Sequence, residues 1–197
     1  MKQWNRLNLL LYIIDRYDVK SYLEVGCGHN AVFNAINVDN KIGVDPSKGR
    51  GSINMTSDEF FKQNKIKFDL IFIDGLHHAH QVYKDVNNAL QCLNENGTII
   101  MHDCNPSSKE MTVVPQPSFQ HKWNGDCWKA YVYFRQQENL DMICSDFDYG
   151  CGIIKVRNNS NIISVPTKYL DLTWEDLQNN KDKWLLLKTK EEIISWL

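Results

Sequence analysis

Nowhere does this 197-residue chain carry an apolar run long enough to cross a bilayer. The run from Leu9 to Ile14 is stopped by Asp15 and Arg16, and no small-residue cleavage site follows. It therefore reads as one face of an amphipathic first helix rather than a span or a secretory leader. An excess of positive charge is missing too. Lysine and arginine number 22 against 24 acids, the net charge is −2, and the basic residues form no stripe, which argues against nucleic acid or a membrane surface as a main partner. The six cysteines include no CxxC pair and no regular framework. That argues against a disulfide scaffold or a cysteine zinc site and implies reduced thiols in a cytoplasmic setting. Repeats and low-complexity tracts are also lacking. With 43% apolar and 23% charged residues the composition is ordinary for a globular chain, and the length suits a single domain acting on a small molecule.

What the chain does contain is a cadence of acids. Three short apolar segments each end in aspartate: Lys41-Ile42-Gly43-Val44-Asp45, Phe68-Asp69-Leu70-Ile71-Phe72-Ile73-Asp74 and Thr98-Ile99-Ile100-Met101-His102-Asp103. Asp45, Asp74 and Asp103 thus recur every 29 residues. About 30 residues is the length of one βα unit, which predicts parallel strands whose carboxyl ends leave the same edge of an α/β sheet. Open α/β sheets bind ligands at that edge. Three carboxylates with neighbouring histidines therefore share one ligand-binding rim.

Around this frame, apolar spacing through Leu7, Leu10, Leu11 and Ile14 predicts a helix over 4–17. A strand over 21–25 runs into the turn Gly26-Cys27-Gly28, and a short helix over 31–36 follows. Further helices are predicted over 57–64, with Ser57 or Asp58 as caps, and over 81–93. Residues 104–126, with Pro106, Pro115, Pro117 and Gly125, lack periodicity and read as a lid or substrate loop. A helix over 127–138 precedes strands over 141–145 and 152–156, whose short link implies an antiparallel hairpin. The C-terminal residues, with Trp174, Leu177, Trp184, Leu186, Ile193 and Trp196, read as helices packing on the domain. Exposed aromatics there suit a homodimer interface and equally intramolecular packing. One domain thus divides into an N-terminal helix (1–19), a core (20–156) and a C-terminal helical extension (157–197).

The strongest local motif is Leu23-Glu24-Val25-Gly26-Cys27-Gly28, followed by Asp45. Glycines let the backbone turn sharply and approach a ligand, and an acid closing the next strand can accept hydrogen bonds from both ribose hydroxyls. Gly26, Cys27, Gly28 and Asp45 therefore describe a nucleoside site. Through Ala31 the same residues read as Gly-x-Gly-x-x-Ala, which leaves a dinucleotide and another adenosine cofactor both open. With Gly43-Val44-Asp45 as the ribose-binding acid and the segment ending in Asp74 as the fourth strand, the chain resembles the class I S-adenosylmethionine-dependent methyltransferases. More narrowly, Ile73-Asp74-Gly75-Leu76-His77, Val82, Asp85 and Met101-His102-Asp103-Cys104 are similar to a bacterial methyltransferase family with an Asp-Gly-x-His element and a His-Asp pair. Members of that family are often linked to surface-polysaccharide or natural-product tailoring. The likeness spans roughly residues 20–156, including Gly125-Asp126-Cys127-Trp128-Lys129-Ala130. It implies a Rossmann-like, mostly parallel seven-stranded sheet with a terminal antiparallel hairpin and helices on both faces. It also implies S-adenosylmethionine as cofactor and a small-molecule hydroxyl, such as that of a sugar or glycosylated metabolite, as acceptor. Two positions depart from the family pattern. His29-Asn30 stands where a further glycine is common, although asparagine tolerates positive φ, and Ala79 stands where an aromatic often follows the Asp-Gly-x-His element.

Methyl transfer is an in-line displacement at a sulfonium methyl, so the protein must position donor and acceptor and take a proton from a hydroxyl acceptor. His77, three residues after Asp74, is the first candidate base, with His78 and His80 as competitors. The same histidines could instead be exposed and cap the following helix. Asp74, His102 and Asp103 offer oxygen and imidazole ligands to a divalent ion, Mg2+ or Mn2+, as in O-methyltransferases resembling catechol O-methyltransferase. His102 can equally serve as a hydrogen-bond partner of the acid beside it. Asp74 also counts among the cofactor-binding residues. Glu24 is placed to reach the cofactor's ammonium group or a backbone amide, and Asp85 to face solvent or orient His77. Cys27 fits the turn by its size, Cys104 reads as a bystander, and Trp128 reads as a core position ahead of an acceptor wall. Two other functions stay open: an NAD-dependent oxidoreductase, through the Gly-x-Gly-x-x-Ala match, and a noncatalytic S-adenosylmethionine-binding regulatory protein.

Overall fold

Strands with apolar residues on both faces build the centre of the molecule, which the computed structural model describes over residues 4–118 and 122–197. Residues 119–121 of the expected lid, and residues 1–3, lie outside the described residues. Strands β1 (Ser21–Val25), β2 (Asn40–Val44), β3 (Phe68–Ile73) and β4 (Leu93–Met101) pair in parallel in the order β2-β1-β3-β4. Leu23, Val25, Ile71, Ile73, Ile99 and Met101 point to one side of this sheet, while Tyr22, Leu70, Phe72 and Ile100 point to the other, all buried. Helices α1 (Arg6–Tyr17), α2 (Ala31–Ala35) and α7 (Lys190–Trp196) cover the second side through Leu9, Leu10, Ile13, Phe33 and Ile193. On the first side, α3 (Ser57–Gln63), α4 (Ala79–Gln91), α5 (Cys127–Phe134) and α6 (Trp174–Leu185) bury Phe60, Val82, Val86, Phe134, Leu177 and Trp184.

The expected hairpin is present: β5 (Leu140–Ser145) pairs antiparallel with β6 (Gly152–Val156), and β6 pairs antiparallel with β4. The C-terminal region is not wholly helical, however. Between α6 and α7 the two-residue strand β7 (Leu187–Lys188) adds to β5 in parallel, completing the order β2-β1-β3-β4-β6-β5-β7. Trp174 packs on the first core cluster, and Trp196 packs on the second beneath the Arg157 guanidinium at 4.3 Å, so both rings are half-buried by intramolecular contacts. Other boundaries differ for identifiable reasons. The N-cap of α3 is Thr56, locked with Glu59 in a reciprocal capping box, rather than Ser57 or Asp58. Helix α4 begins at Ala79, because the Asp126 carboxylate, brought back by the lid, accepts its backbone N–H at 2.6 Å. All six cysteines are free and buried. Among the described residues no helix is long and apolar enough to cross a membrane.

Candidate functional site

The carboxyl ends of β1 to β4 line up their following residues along one edge of the sheet. Gly26 there has φ +86°, and a side chain at this position would run into the Asp74 carbonyl and Gly75, so the turn after β1 is pressed against the end of β3. Two clefts flank this contact. One, of about 480 Å³, is lined by Val44, Asp45, Arg50, Ser57, Leu76 and Gln81. The other, of about 430 Å³, is lined by Glu24, His77, His102, Asp103, Trp123 and Asn124. Gly26, Gly28 and Asp74 belong to both. In the first cleft the Asp45 carboxylate accepts the Gly28 N–H at 3.1 Å and the Ser47 N–H at 2.8 Å, one on each oxygen. These bonds aim the group and leave each oxygen a lone pair for a ligand hydroxyl. Asn30 adopts φ +61°, the conformation expected of the missing glycine, and its amide ties the turn to the Gly49 carbonyl and the Gly51 N–H.

The second cleft holds a cluster of charged groups. Asp74 Oδ1 lies 3.3 Å from both His77 Nε2 and His102 Nδ1. Asp103, itself at φ +62°, places Oδ2 3.1 Å from His77 Nδ1 and Oδ1 3.3 Å from His102 Nδ1, and it also accepts a hydrogen bond from the Asn124 amide. His102 Nε2–H donates to the Asp148 carbonyl at 2.7 Å, which fixes the tautomer and turns the Nδ1 lone pair toward both carboxylates. Lone pairs facing lone pairs call for a proton or a cation between them. Burial disfavours charge on His102, but Asp74, Asp103 and Asp148 outweigh it and raise this imidazole well above its ordinary value. Burial likewise opposes charge on His77, yet Asp74 and Asp103 raise it. Asp74, despite burial, is held low by the two histidines. Arg6, from the first turn of α1, sets Nη1 3.2 Å from the Asp148 carboxylate and Nε 3.8 Å from Asp74.

Ligand atoms of Asp74, His102 and Asp103 lie within 4.8 Å of one another, a set of hard oxygens plus one imidazole that fits a divalent ion. His102, Asp148 and Cys151 approach equally closely. That second set is a poor one, because His102 Nε2 is committed to a carbonyl and burial pushes the Cys151 thiol up to about 12.

The structure brings Asp74, His77, His102 and Asp103 together at this cleft and leaves other candidates outside it. His78 and His80 line neither cleft; they meet each other edge to face at 5.7 Å, and His78, the α4 N-cap, makes no side-chain capping bond. Asp85 neither faces solvent nor touches His77: it is buried, accepts from Gln81 at 3.1 Å, and burial raises its carboxyl to about 6. Glu24 lines the second cleft, accepts the Tyr22 hydroxyl at 2.5 Å, and is raised by burial to about 7. Cys27 lines the same cleft with its thiol raised by burial to about 12, while Cys104 is buried behind the rim and Trp128 sits in the core. Arg6, Trp123, Asn124 and Asp148 join the cleft without belonging to any motif of the sequence. Trp123 stacks on His77 with centroids 5.1 Å apart. The irregular composition of 104–126 was the available signal for Trp123 and Asn124; Arg6 and Asp148 had none.

Residues 50–104 match a family model described as a methyltransferase domain. The matched stretch carries Asp74, His77, His102 and Asp103. No curated protein matches the chain. Among solved structures, an S-adenosylhomocysteine-bound methyltransferase from Podospora anserina is similar at TM-score 0.60 and 16% identity, covering 80% of each chain. An O-methyltransferase from Bacillus cereus in complex with S-adenosylhomocysteine is similar at TM-score 0.53 and 13% identity, over 76% of this chain and 80% of that one. An N-methyltransferase from Bradyrhizobium japonicum is similar at TM-score 0.53 and 16% identity, over 79% of this chain and 95% of that one. What the chain shares with them is the Rossmann-like methyltransferase fold. The family match and the fold together support a class I methyltransferase.

Proposed function

We propose that the protein transfers a methyl group from S-adenosylmethionine to a hydroxyl of a small-molecule acceptor, such as a sugar or glycosylated metabolite. The observation that carries this reading is the pair of clefts joined at Gly26, Gly28 and Asp74. An adenosine in the first cleft would set its ribose hydroxyls on Asp45, and the methionine part would cross Gly26, Cys27 and Gly28 toward Glu24. The sulfonium methyl would then face the second cleft, where His77 stands. Two of the similar structures hold S-adenosylhomocysteine, which agrees with this cofactor. The fold alone leaves the acceptor atom open, since both O- and N-methyltransferases share it. The donor set supports oxygen, because Asp74, Asp103 and His102 Nδ1 suit Mg2+ or Mn2+. Such an ion, when bound, lowers the pKa of a hydroxyl beside it.

The chain's own groups do the rest. His77 takes the acceptor proton, and the carboxylates at its two ring nitrogens stabilise the imidazolium it becomes. Trp123 covers the ring face and keeps water from that side. The Asp148 carbonyl holds His102 in its tautomer from behind, and Arg6 in turn holds the Asp148 carboxylate. Calorimetry with S-adenosylhomocysteine tests the reading. Losing a bidentate, charge-assisted contact costs about 1.5–3 kcal/mol, so Asp45→Ala should weaken binding at least tenfold. Unchanged affinity in a folded variant would reject the ribose assignment.

A further inference from the structure

Asp85 is a buried acid that methyl transfer does not use. It is 1% exposed and meets no cation at ion-pair distance among the described residues, although a carboxylate taken out of water without one is costly. Its partners are neutral donors from the first cleft. Asp85 Oδ1 accepts from Gln81 Nε2 at 3.1 Å, and the Ser57 hydroxyl donates to the same carboxyl. Gln81 and Ser57 both line that cleft. Gln81 Nε2 also donates to Asp58 Oδ1 at 2.9 Å and lies 3.2 Å from Ser57 Oγ. The amide nitrogen is therefore ringed by acceptors, two of them carboxylates. The reverse orientation would set Gln81 Oε1 against those carboxylates, lone pair against lone pair, so the amide has one permitted direction. Its carbonyl oxygen, on the opposite side, accepts no hydrogen bond among the described residues and is not sealed in the core. Because Gln81 is half-buried and lines the first cleft, that oxygen is open to whatever fills it. Leu76, 51% exposed on the same cleft, offers an apolar face to a flat ring.

We propose that Asp85 is a positioning residue of the cofactor site: through Gln81 it presents the cleft with a fixed carbonyl acceptor, which selects a purine carrying a 6-amino donor over one carrying a 6-oxo group. This rests on the reading that S-adenosylmethionine fills the first cleft, with its ribose on Asp45 and its base toward Ser57, Leu76 and Gln81. The exocyclic amine of adenine donates to Gln81 Oε1. Hypoxanthine brings a second carbonyl to the same place, and two facing acceptors both go unpaired. A site built to bond one polar group discriminates strongly against an analogue that lacks it. Asp85 lines neither cleft, so its effect passes through the direction of the Gln81 amide.

Calorimetry with S-adenosylhomocysteine and S-inosylhomocysteine measures the preference directly. The wild type should bind the first at least about tenfold more tightly. Asp85→Leu fills a similar volume without an acceptor and lets the Gln81 amide turn, so it should shrink that preference at least about threefold. Asp85→Asn keeps a carbonyl for Gln81 Nε2 and should restore it. Gln81→Met deletes the reading group itself and should shrink the preference at least as much as Asp85→Leu; it decides the matter should Asp85→Leu fail to fold. A loss of affinity equal for both ligands, with the preference unchanged, is what a purely structural carboxylate would give, and it overturns the proposal. Equal binding of the two ligands by the wild type overturns it as well. If the wild type binds neither, the cofactor reading falls and takes this one with it, whereas wild-type binding with an unchanged preference in the variants removes the positioning role alone.

Discussion

His77 is held at both ring nitrogens, by Asp74 at 3.3 Å and by Asp103 at 3.1 Å, and it is the imidazole that the Trp123 ring covers. General-base catalysis is typically worth about 10²–10⁴ in rate, so His77→Ala should lower turnover at least about a hundredfold with S-adenosylhomocysteine affinity nearly unchanged. A chelator should likewise stop transfer while the cofactor stays bound, and Mg2+ or Mn2+ should restore it. Full activity in chelator would leave Asp74, His102 and Asp103 as acceptor-orienting groups. If His78→Ala or His80→Ala shows the loss instead, the base is a neighbouring histidine. Glu24 carries a different consequence. Burial raises its carboxyl from 4.5 to about 7, so the folded state retains a proton that the unfolded chain releases. The stability this contributes is complete below pH 4.5 and is lost as pH rises through about 7. Glu24→Gln keeps an acceptor for Tyr22 and has no charge to bury. It should gain up to about 3 kcal/mol over the wild type above that range and nothing below it. Denaturant titrations at both ends of the range check this, and parallel pH profiles for the two proteins would refute it. The residues that follow strand ends could be read from the sequence because the cadence of acids placed them. Arg6 and Asp148 could not, since they lie 142 residues apart and meet only through the packing of α1 against the β5–β6 link.

At the scale of elements, β1, β3 and β6 fall where apolar composition and turn residues predict them, because each is buried on both faces along most of its length. Strand β4 begins earlier than expected. Leu93 pairs with Phe68 across an irregularity in register, so the polar residues Asn94, Glu95 and Asn96 enter a strand although they look like a turn. Helix α4 starts early for a nonlocal reason, the Asp126 carboxylate at its N-terminus, and local spacing carries no trace of that. The same return of the chain sets Trp123 against His77 in the second cleft. Gly125 has φ +59°, and a side chain there would strike the backbone carbonyl of His77. Gly125→Ala should therefore push the lid and its Trp123 off His77. Misplacing a catalytic group by about 1 Å can cost a hundredfold. We expect turnover to fall by that order while S-adenosylhomocysteine affinity, set mainly in the other cleft, changes only a few-fold. A comparable loss of both would mean the lid also builds the cofactor site.

For the molecule as a whole, the two clefts join at Gly26, Gly28 and Asp74, and a thermal shift shows which ligand fills them. The Gly-x-Gly-x-x-Ala reading of residues 26–31 admits NAD as readily as S-adenosylmethionine, so local sequence cannot choose between them. Two of the similar structures hold S-adenosylhomocysteine, which favours the second. Past Gly26 and Gly28 the path leads to Glu24 and a mixed cluster in which Asp74 and Asp103 stand beside His77, His102 and Arg6. A ligand at a hundred times its dissociation constant stabilises the folded state by about 2.7 kcal/mol, which for a chain of this size raises the midpoint by roughly 5–10 °C. S-adenosylhomocysteine should produce that rise, NAD should not, and Asp45→Ala should shrink it at the same ligand concentration. Stabilisation by NAD alone would return the protein to the oxidoreductase reading. Stabilisation by S-adenosylhomocysteine with no methyl transfer to any acceptor pool would make it a cofactor-binding regulator built on the same sheet.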